Sequence, residues 1–358
     1  MKKKYLLIWL IILVCFMLAI KLTTKATKDL YYQEKEQATY KTLMAYQTIK
    51  QYRLNHDISL SDPSRNNKLL DPQETGLLGY WLSDITTTTG DLEAKKRSIN
   101  PAFAAVVIDM LVKANIKAGD EVGVLASGSF PALTIAVLCA LEVYQVKACV
   151  IASIGSSSYG ANIPDLTIFD MIQILLDEDI LHHNLDYVSF GGVDDTGNEF
   201  AYEVKESILN RINSRAIPLL DGGAFPAIIT NHLNAYQAKI PNIKLFINIG
   251  GHVAALGEGK ATYLGNNGLI FKTKRLFTAE RGLINRYLEQ NIPVIHFLNI
   301  LSLAQKYELL DKAQIDLNQA IYYDNQKNFI LIIIPLTISF CIFIIVLIRR
   351  KKLITIAI

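Results

Sequence analysis

Ser127, Ser129 and His252 are the side chains of this sequence whose type and setting suit nucleophilic chemistry. The two serines lie in Ala126-Ser127-Gly128-Ser129-Phe130-Pro131, between an apolar strand pattern and an apolar helix pattern. A serine at such a strand-to-helix turn can project its hydroxyl from the sheet edge, although this segment departs from the G-x-S-x-G pattern. His252 follows Gly250-Gly251 and would serve as general base to one of the serines. No third member of a triad can be read from sequence order. The remaining histidines, His56, His182, His183, His232 and His296, read as structural or surface residues.

Around these residues the ends of several apolar runs are small and polar. Ser127-Gly128-Ser129, Ser153-Ile154-Gly155-Ser156-Ser157-Ser158, Gly191-Gly192 and Gly250-Gly251-His252 each follow a strand pattern. Glycine permits close backbone approach, serine offers hydroxyls, and helix N-termini offer free N–H groups to a carboxylate or phosphate. Gly128, Ser156, Ser157, Gly250 and Gly251 are therefore expected at an anion-binding cleft. A second constellation, Thr86-Thr87-Thr88-Thr89-Gly90-Asp91-Leu92-Glu93-Ala94-Lys95-Lys96-Arg97, combines hydroxyls, two carboxylates and three cations. It contributes Asp91, Glu93 and Lys95 to the expected ligand-binding set; a solvated charged loop is the plainer reading. Asp194-Asp195 and Asp221-Gly222-Gly223 lack the spacing of a calcium loop, and no Cys/His pair has metal-ligand spacing, so neither a metal nor a cofactor is expected. Cys139 and Cys149 fall in apolar patterns and read as buried thiols.

The elements that must position these residues alternate. Strand patterns at Glu121 to Ala126, Lys147 to Ala152, Asp186 to Phe190, Ala216 to Leu219, Lys244 to Ile249 and Pro293 to His296 are separated by amphipathic helical segments. That alternation predicts an α/β domain, a mainly parallel sheet with helices on both faces. Such sheets bind ligands beyond the carboxyl ends of their strands. The compact domain is expected over 76–328, preceded by a helical stalk and loop over 23–75.

The 358 residues are 51% hydrophobic with a net charge of +3, a balance that gives no sign of nucleic acid binding. The apolar content concentrates at the ends, in 5–22 and 329–348, each long enough to cross a hydrocarbon core about 30 Å thick as a helix. Lys2, Lys3 and Lys4 precede the first run, and Arg349, Arg350, Lys351 and Lys352 follow the second. The positive-inside rule then predicts a cell-membrane protein with 1–4 and 349–358 cytoplasmic and the α/β domain extracytoplasmic. A cleaved signal peptide is the competing reading of the first run, but no small-x-small cleavage site follows it.

Four segments together resemble the poly-gamma-glutamate system protein family: Gly90-Asp91-Leu92-Glu93-Ala94-Lys95, Asn100-Pro101-Ala102-Phe103-Ala104-Ala105, Ala126-Ser127-Gly128-Ser129-Phe130-Pro131-Ala132-Leu133, and Ser153-Ile154-Gly155-Ser156-Ser157-Ser158-Tyr159-Gly160-Ala161-Asn162. The resemblance covers roughly Gly76 to Gly259. It implies a membrane component of poly-gamma-glutamate synthesis and export, with the membrane subunits of the synthase and the anionic polymer as partners. Two alternatives stand beside that accessory role. One is a serine-dependent hydrolase or transferase acting on gamma-glutamyl bonds, and the other is an extracytoplasmic solute-binding or sensor domain.

Overall fold

The computed structural model describes residues 24–71, 73–263, 265–272, 278–309, 313–327 and 337. Runs of Val, Ile, Leu and Ala form a sheet of six strands: β1 (Glu121–Ser127), β2 (Lys147–Ser153), β3 (Tyr187–Ser189), β4 (Ile243–Ile249), β5 (Gly268–Ile270) and β6 (Val294–Phe297). Their spatial order is β3-β2-β1-β4-β6-β5, with β5 antiparallel to β6 and every other pairing parallel. β1 is central and buried on both sides, which is why it reads as an unbroken apolar run rather than an alternating one.

The helices in chain order are α1 (Tyr32–Asn55), α2 (Leu92–Ser98), α3 (Phe103–Lys113), α4 (Pro131–Val143), α5 (Ile168–Asp177), α6 (Tyr202–Ser214), α7 (Phe225–Lys239), α8 (Val253–Leu256), α9 (Leu283–Glu289) and α10 (Ile300–Lys306). Side chains alternate across the sheet, so the two faces carry different helices. Leu125, Cys149, Ile151, Phe246 and Val294 pack with α7, α8 and α9. Phe297, three residues after Val294, points to the opposite face and meets the Phe103 ring of α3 edge-on. There α3, α4 and α1 pack together. α4 begins at Pro131, which presets the first helical turn, and its buried run from Pro131 to Leu141 is apolar but for Thr134.

The predicted α/β class and mainly parallel sheet are present, with corrections in detail. Ala216 to Leu219 forms no strand; Leu219 makes only an isolated bridge to Val188. β5 was not expected, because three residues of Gly-Leu-Ile carry no period. The stalk is also different from expectation. α1 buries Ala38, Thr42, Ala45 and Ile49 at spacings of four, three and four, and the buried Tyr46 beside them donates from Oη to the Ala132 carbonyl at 2.9 Å. The compact unit therefore spans Tyr31–Tyr322 rather than starting at Gly76. Polar residues hide this amphipathic stripe, since Ala and Thr make up four of the nine buried positions and Lys35 and Arg53 two more.

A second unit contains the described residues on either side of that body. In it Thr24–Lys28 pairs antiparallel with Tyr323–Lys327, Thr24 opposite Lys327 and Lys28 opposite Tyr323. The apolar runs at 5–22 and 329–348, residue 337 excepted, lie outside the described residues. Among the described residues no helix is long and apolar enough to cross a membrane.

One buried cation ties α1 to the loop that follows it. Arg53 is 1% exposed; its Nη1 donates to the carbonyls of Gly76 at 3.0 Å and Leu78 at 2.7 Å, and its Nη2 to that of Ser59. Replacing it leaves three carbonyls unpaired, at about 1 kcal/mol or more each. Arg53→Met should lower the thermal midpoint of the purified chain by about 5 °C, read by intrinsic fluorescence; an unchanged midpoint would show that these bonds do not hold α1.

Candidate functional site

The chain runs outward from β1 to β2 and β3, then returns to β4 on the other side of β1. The loops leaving β1 and β4 therefore diverge, and a crevice opens at the carboxyl end of the sheet between them. A cleft of about 600 Å³ occupies this position, bordered by the loops after β1, β2, β3 and β4 and by the Thr87–Lys95 segment.

Several local devices shape its walls. Thr86–Thr88 pairs parallel with Ser156–Ser157, which sets the threonine run beside the serine run. Asp91 caps α2, its Oδ1 accepting from the Ala94 N–H at 2.8 Å, and Lys95 lies one turn further on. Lys95 is 2% exposed, with Nζ donating to the Ser129 carbonyl, 2.8 Å from Ser157 Oγ and 3.8 Å from the centroid of the Phe130 ring. Desolvation pushes this amine down to about 7, opposed only by the more distant charge of Asp91.

At the β4 end, Gly250 has φ +92°, and a Cβ there would fall 2.1 Å from Ser127 Oγ, so only glycine fits. Its carbonyl accepts from Asn248 Nδ2 at 2.8 Å, and that amide also reaches His296 Nδ1 at 2.9 Å. Burial pushes His296 down to about 4, so the ring stays neutral and can accept from Asn248.

Of the residues expected at the site, Ser127, Ser129, His252, Asp91, Lys95, Ser157 and Gly251 line the cleft. Four do not. Glu93 turns to solvent and pairs with Lys96 at 3.0 Å. Ser156 is wholly buried, donating from Oγ to the Gly128 carbonyl at 3.0 Å. Gly128 is a packing position, where a Cβ would meet the Ile154 carbonyl at 2.7 Å, and Gly250 acts through its backbone.

The expected serine–histidine pairing is also absent among the described residues. Ser127 Oγ donates to the Ile249 carbonyl at 3.3 Å, and Ser129 Oγ accepts from the Ser157 N–H at 3.1 Å. His252 turns instead to a buried group. Its Nε2 lies 3.0 Å from Asp195 Oδ1 and 3.4 Å from Ser189 Oγ, and its Nδ1 accepts from the Ala254 N–H at 3.0 Å. Asp195 sits at φ 58°, and its Oδ1 also accepts from the Gly191 N–H at 2.9 Å. Asp195 Oδ2 faces His232 Nε2 at 3.8 Å, and neither atom has a hydrogen-bond partner.

Asp195, His232 and His252 present donor atoms within 4.8 Å of one another, the spacing of a metal site. The tautomers argue against one. His252 Nδ1 accepts from a backbone N–H, so its proton lies on Nε2, the atom that would have to ligate. His232 Nδ1 is 2.9 Å from the Ile228 carbonyl and donates to it, leaving only His232 Nε2 and Asp195 Oδ2 as open donors to a metal. Two ligands are too few for a zinc centre. The cluster suits a device that fixes His252 at the cleft wall.

Sequence reasoning missed Asp195 and His232 as members of this cluster. His232 was read as structural, and Asp195 was weighed only as part of a calcium loop. No spacing in the sequence links 195, 232 and 252; they meet because α7 and the loops after β3 and β4 converge. The chain matches no protein-family model, no curated protein and no solved structure.

Burial, with the neighbouring His252, pushes His232 down to about 4 against the opposing pull of Asp195. With folded values near 4 for His232 and His296, the unfolded chain takes up protons first as pH falls below about 6.5. Stability should then decline between pH 6.5 and 4 and level off with respect to these groups below 4, by about 3 kcal/mol for each ring. Thermal midpoints of the purified chain at pH 7.5 and 4.5 check this, and His296→Asn should remove part of the decline. Equal midpoints at both pH values would contradict it.

Proposed function

We propose that this chain is a membrane-anchored component of poly-gamma-glutamate synthesis and export whose α/β domain binds the gamma-glutamyl chain outside the cytoplasmic membrane. The observation that carries the proposal is the lining of the cleft. Thr87, Thr88, Thr89, Ser127, Ser129, Ser153 and Ser157 line the cleft together with Lys95 at the switch point of the sheet. Hydroxyl donors and one amine suit a ligand that carries repeated carboxylates on a flexible amide backbone. Glycines at 90, 155, 191, 192 and 251 let an extended chain approach the backbone closely.

The anchors and their orientation are part of the proposal, resting on the terminal apolar runs and their flanking cations. The ribbon supports them. Because Thr24–Lys28 and Tyr323–Lys327 are antiparallel, residues 24 and 327 end it on the same side, as two spans leading to one membrane face require. In this arrangement the cleft belongs to a body tethered at both ends beside the membrane subunits that make the polymer.

Short gamma-linked glutamate oligomers should bind the full chain in detergent micelles saturably, more tightly at pH 6 than at pH 8 as Lys95 becomes protonated. Lys95→Met should weaken binding about tenfold or more. Isothermal calorimetry reads this, and affinity equal in the wild type and Lys95→Met would sink the proposal.

A further inference from the structure

We infer that Ser157 and Lys95 form a nucleophile and general-base pair in this cleft, built for acyl transfer at amide carbonyls. The assignment of gamma-glutamyl amides as substrate rests on the function proposed above; the pair itself does not. Ser157 is 7% exposed and lines the cleft, and among the described residues the one partner of its Oγ is Lys95 Nζ at 2.8 Å. Its backbone is held on both sides, by the Ser157 N–H to Ser129 Oγ bond at 3.1 Å and by the register of Ser157 with Thr88.

The two serines first expected to react differ in kind. Ser127 Oγ is committed to the Ile249 carbonyl, and Ser129 Oγ to the Ser157 amide. Neither touches a base.

Lys95 has the surroundings a general base needs. No carboxylate lies within ion-pair distance among the described residues, because Asp91 is engaged in capping α2. An unpaired buried ammonium is costly, and the cost is relieved by loss of the proton. As the ammonium, Lys95 Nζ donates to both the Ser129 carbonyl and Ser157 Oγ; once neutral it keeps one N–H for the carbonyl, and the 2.8 Å contact reverses, with the Ser157 hydroxyl donating to the amine lone pair. When it takes the proton, the face of the Phe130 ring at 3.8 Å steadies the new charge. Serine–lysine pairs are a known variant of the triad logic.

The reaction balances without any further cofactor. Ser157 Oγ attacks the amide carbonyl carbon while its proton passes to Lys95 Nζ. The tetrahedral adduct collapses by breaking the C–N bond, and the Lys95 ammonium returns the proton to the leaving amine. Water, or an amine acceptor, then attacks the Ser157 ester and gives its proton to Lys95. Breakdown of that adduct restores the serine hydroxyl and releases an acid or a new amide. Gly192 and Gly251 line the same cleft, and their backbone N–H groups make no hydrogen bond among the described residues, which leaves them open to a ligand oxygen.

The test uses the full chain in detergent micelles and a fluorophosphonate probe, with the adduct located by peptide mass spectrometry on the wild type. The expected adduct is on Ser157. Ser157→Ala should abolish labelling, and Lys95→Arg, which keeps the cation but removes the base, should slow it about 100-fold. The surface variant Ser214→Ala should label at the wild-type rate. An adduct on a different serine, or no adduct, would overturn the pair. Protection of Ser157 by gamma-linked glutamate oligomers supports the substrate as well. Labelling at Ser157 without protection keeps the pair and removes that substrate, whereas oligomer binding without labelling keeps the proposed function and removes the pair.

Discussion

An amine buried without a carboxylate beside it is the constraint around which the cleft is organised. Lys95 is held by a carbonyl, a hydroxyl and an aromatic face, three partners that tolerate both its charged and its neutral form. The amine and its partners come from three places in the sequence. Ser129 and Phe130 stand at the exit of β1, Ser157 in the loop after β2, and Lys95 itself on a seven-residue helix started by Asp91. If any one of these moved by an ångström, the amine would either regain water and its ordinary basicity or lose its hold on Ser157. The pairing of Thr86–Thr88 with Ser156–Ser157 fixes two of the three contributors in register, and so the short ladder matters more than its length suggests.

The sheet supplies the second condition, a place where loops separate. Reversal of strand order at β1 and β4 opens the crevice, and two buried polar clusters keep its far wall in shape. Asn248 holds the Gly250 carbonyl while bonded to a neutral His296. Asp195 holds His252 and the Gly191 amide together. Both clusters sit in surroundings where an unpaired polar group is expensive, so they define one arrangement of the loops rather than several.

Much of this was legible in the sequence. The apolar strands ending in Gly/Ser turns gave the sheet class and four loops that border one cleft, because a parallel sheet buried on both faces writes itself as apolar runs. Ser157 was recognisable as a polar residue at such an end, and Lys95 as a cation of the separate Thr86–Arg97 constellation. What the sequence hid was partnership. Ser127, Ser129 and His252 looked like reacting groups on residue type alone, yet their hydrogen bonds go to Ile249, to the Ser157 amide and to Asp195. Lys95 and Ser157 are 62 residues apart, and no local period encodes such a contact. α1 was mistaken for a stalk because its buried stripe is built largely of Ala and Thr, which carry little hydrophobic signal.

The account depends most on the protonation of Lys95, and the pH dependence of Ser157 modification reads it directly. The rate of fluorophosphonate reaction at Ser157, followed by mass spectrometry from pH 5 to 10, should rise to a plateau with its midpoint near 7, where burial places the amine. A rate that keeps climbing past pH 9 would mean that Lys95 is an ordinary solvated ammonium, and would contradict the account.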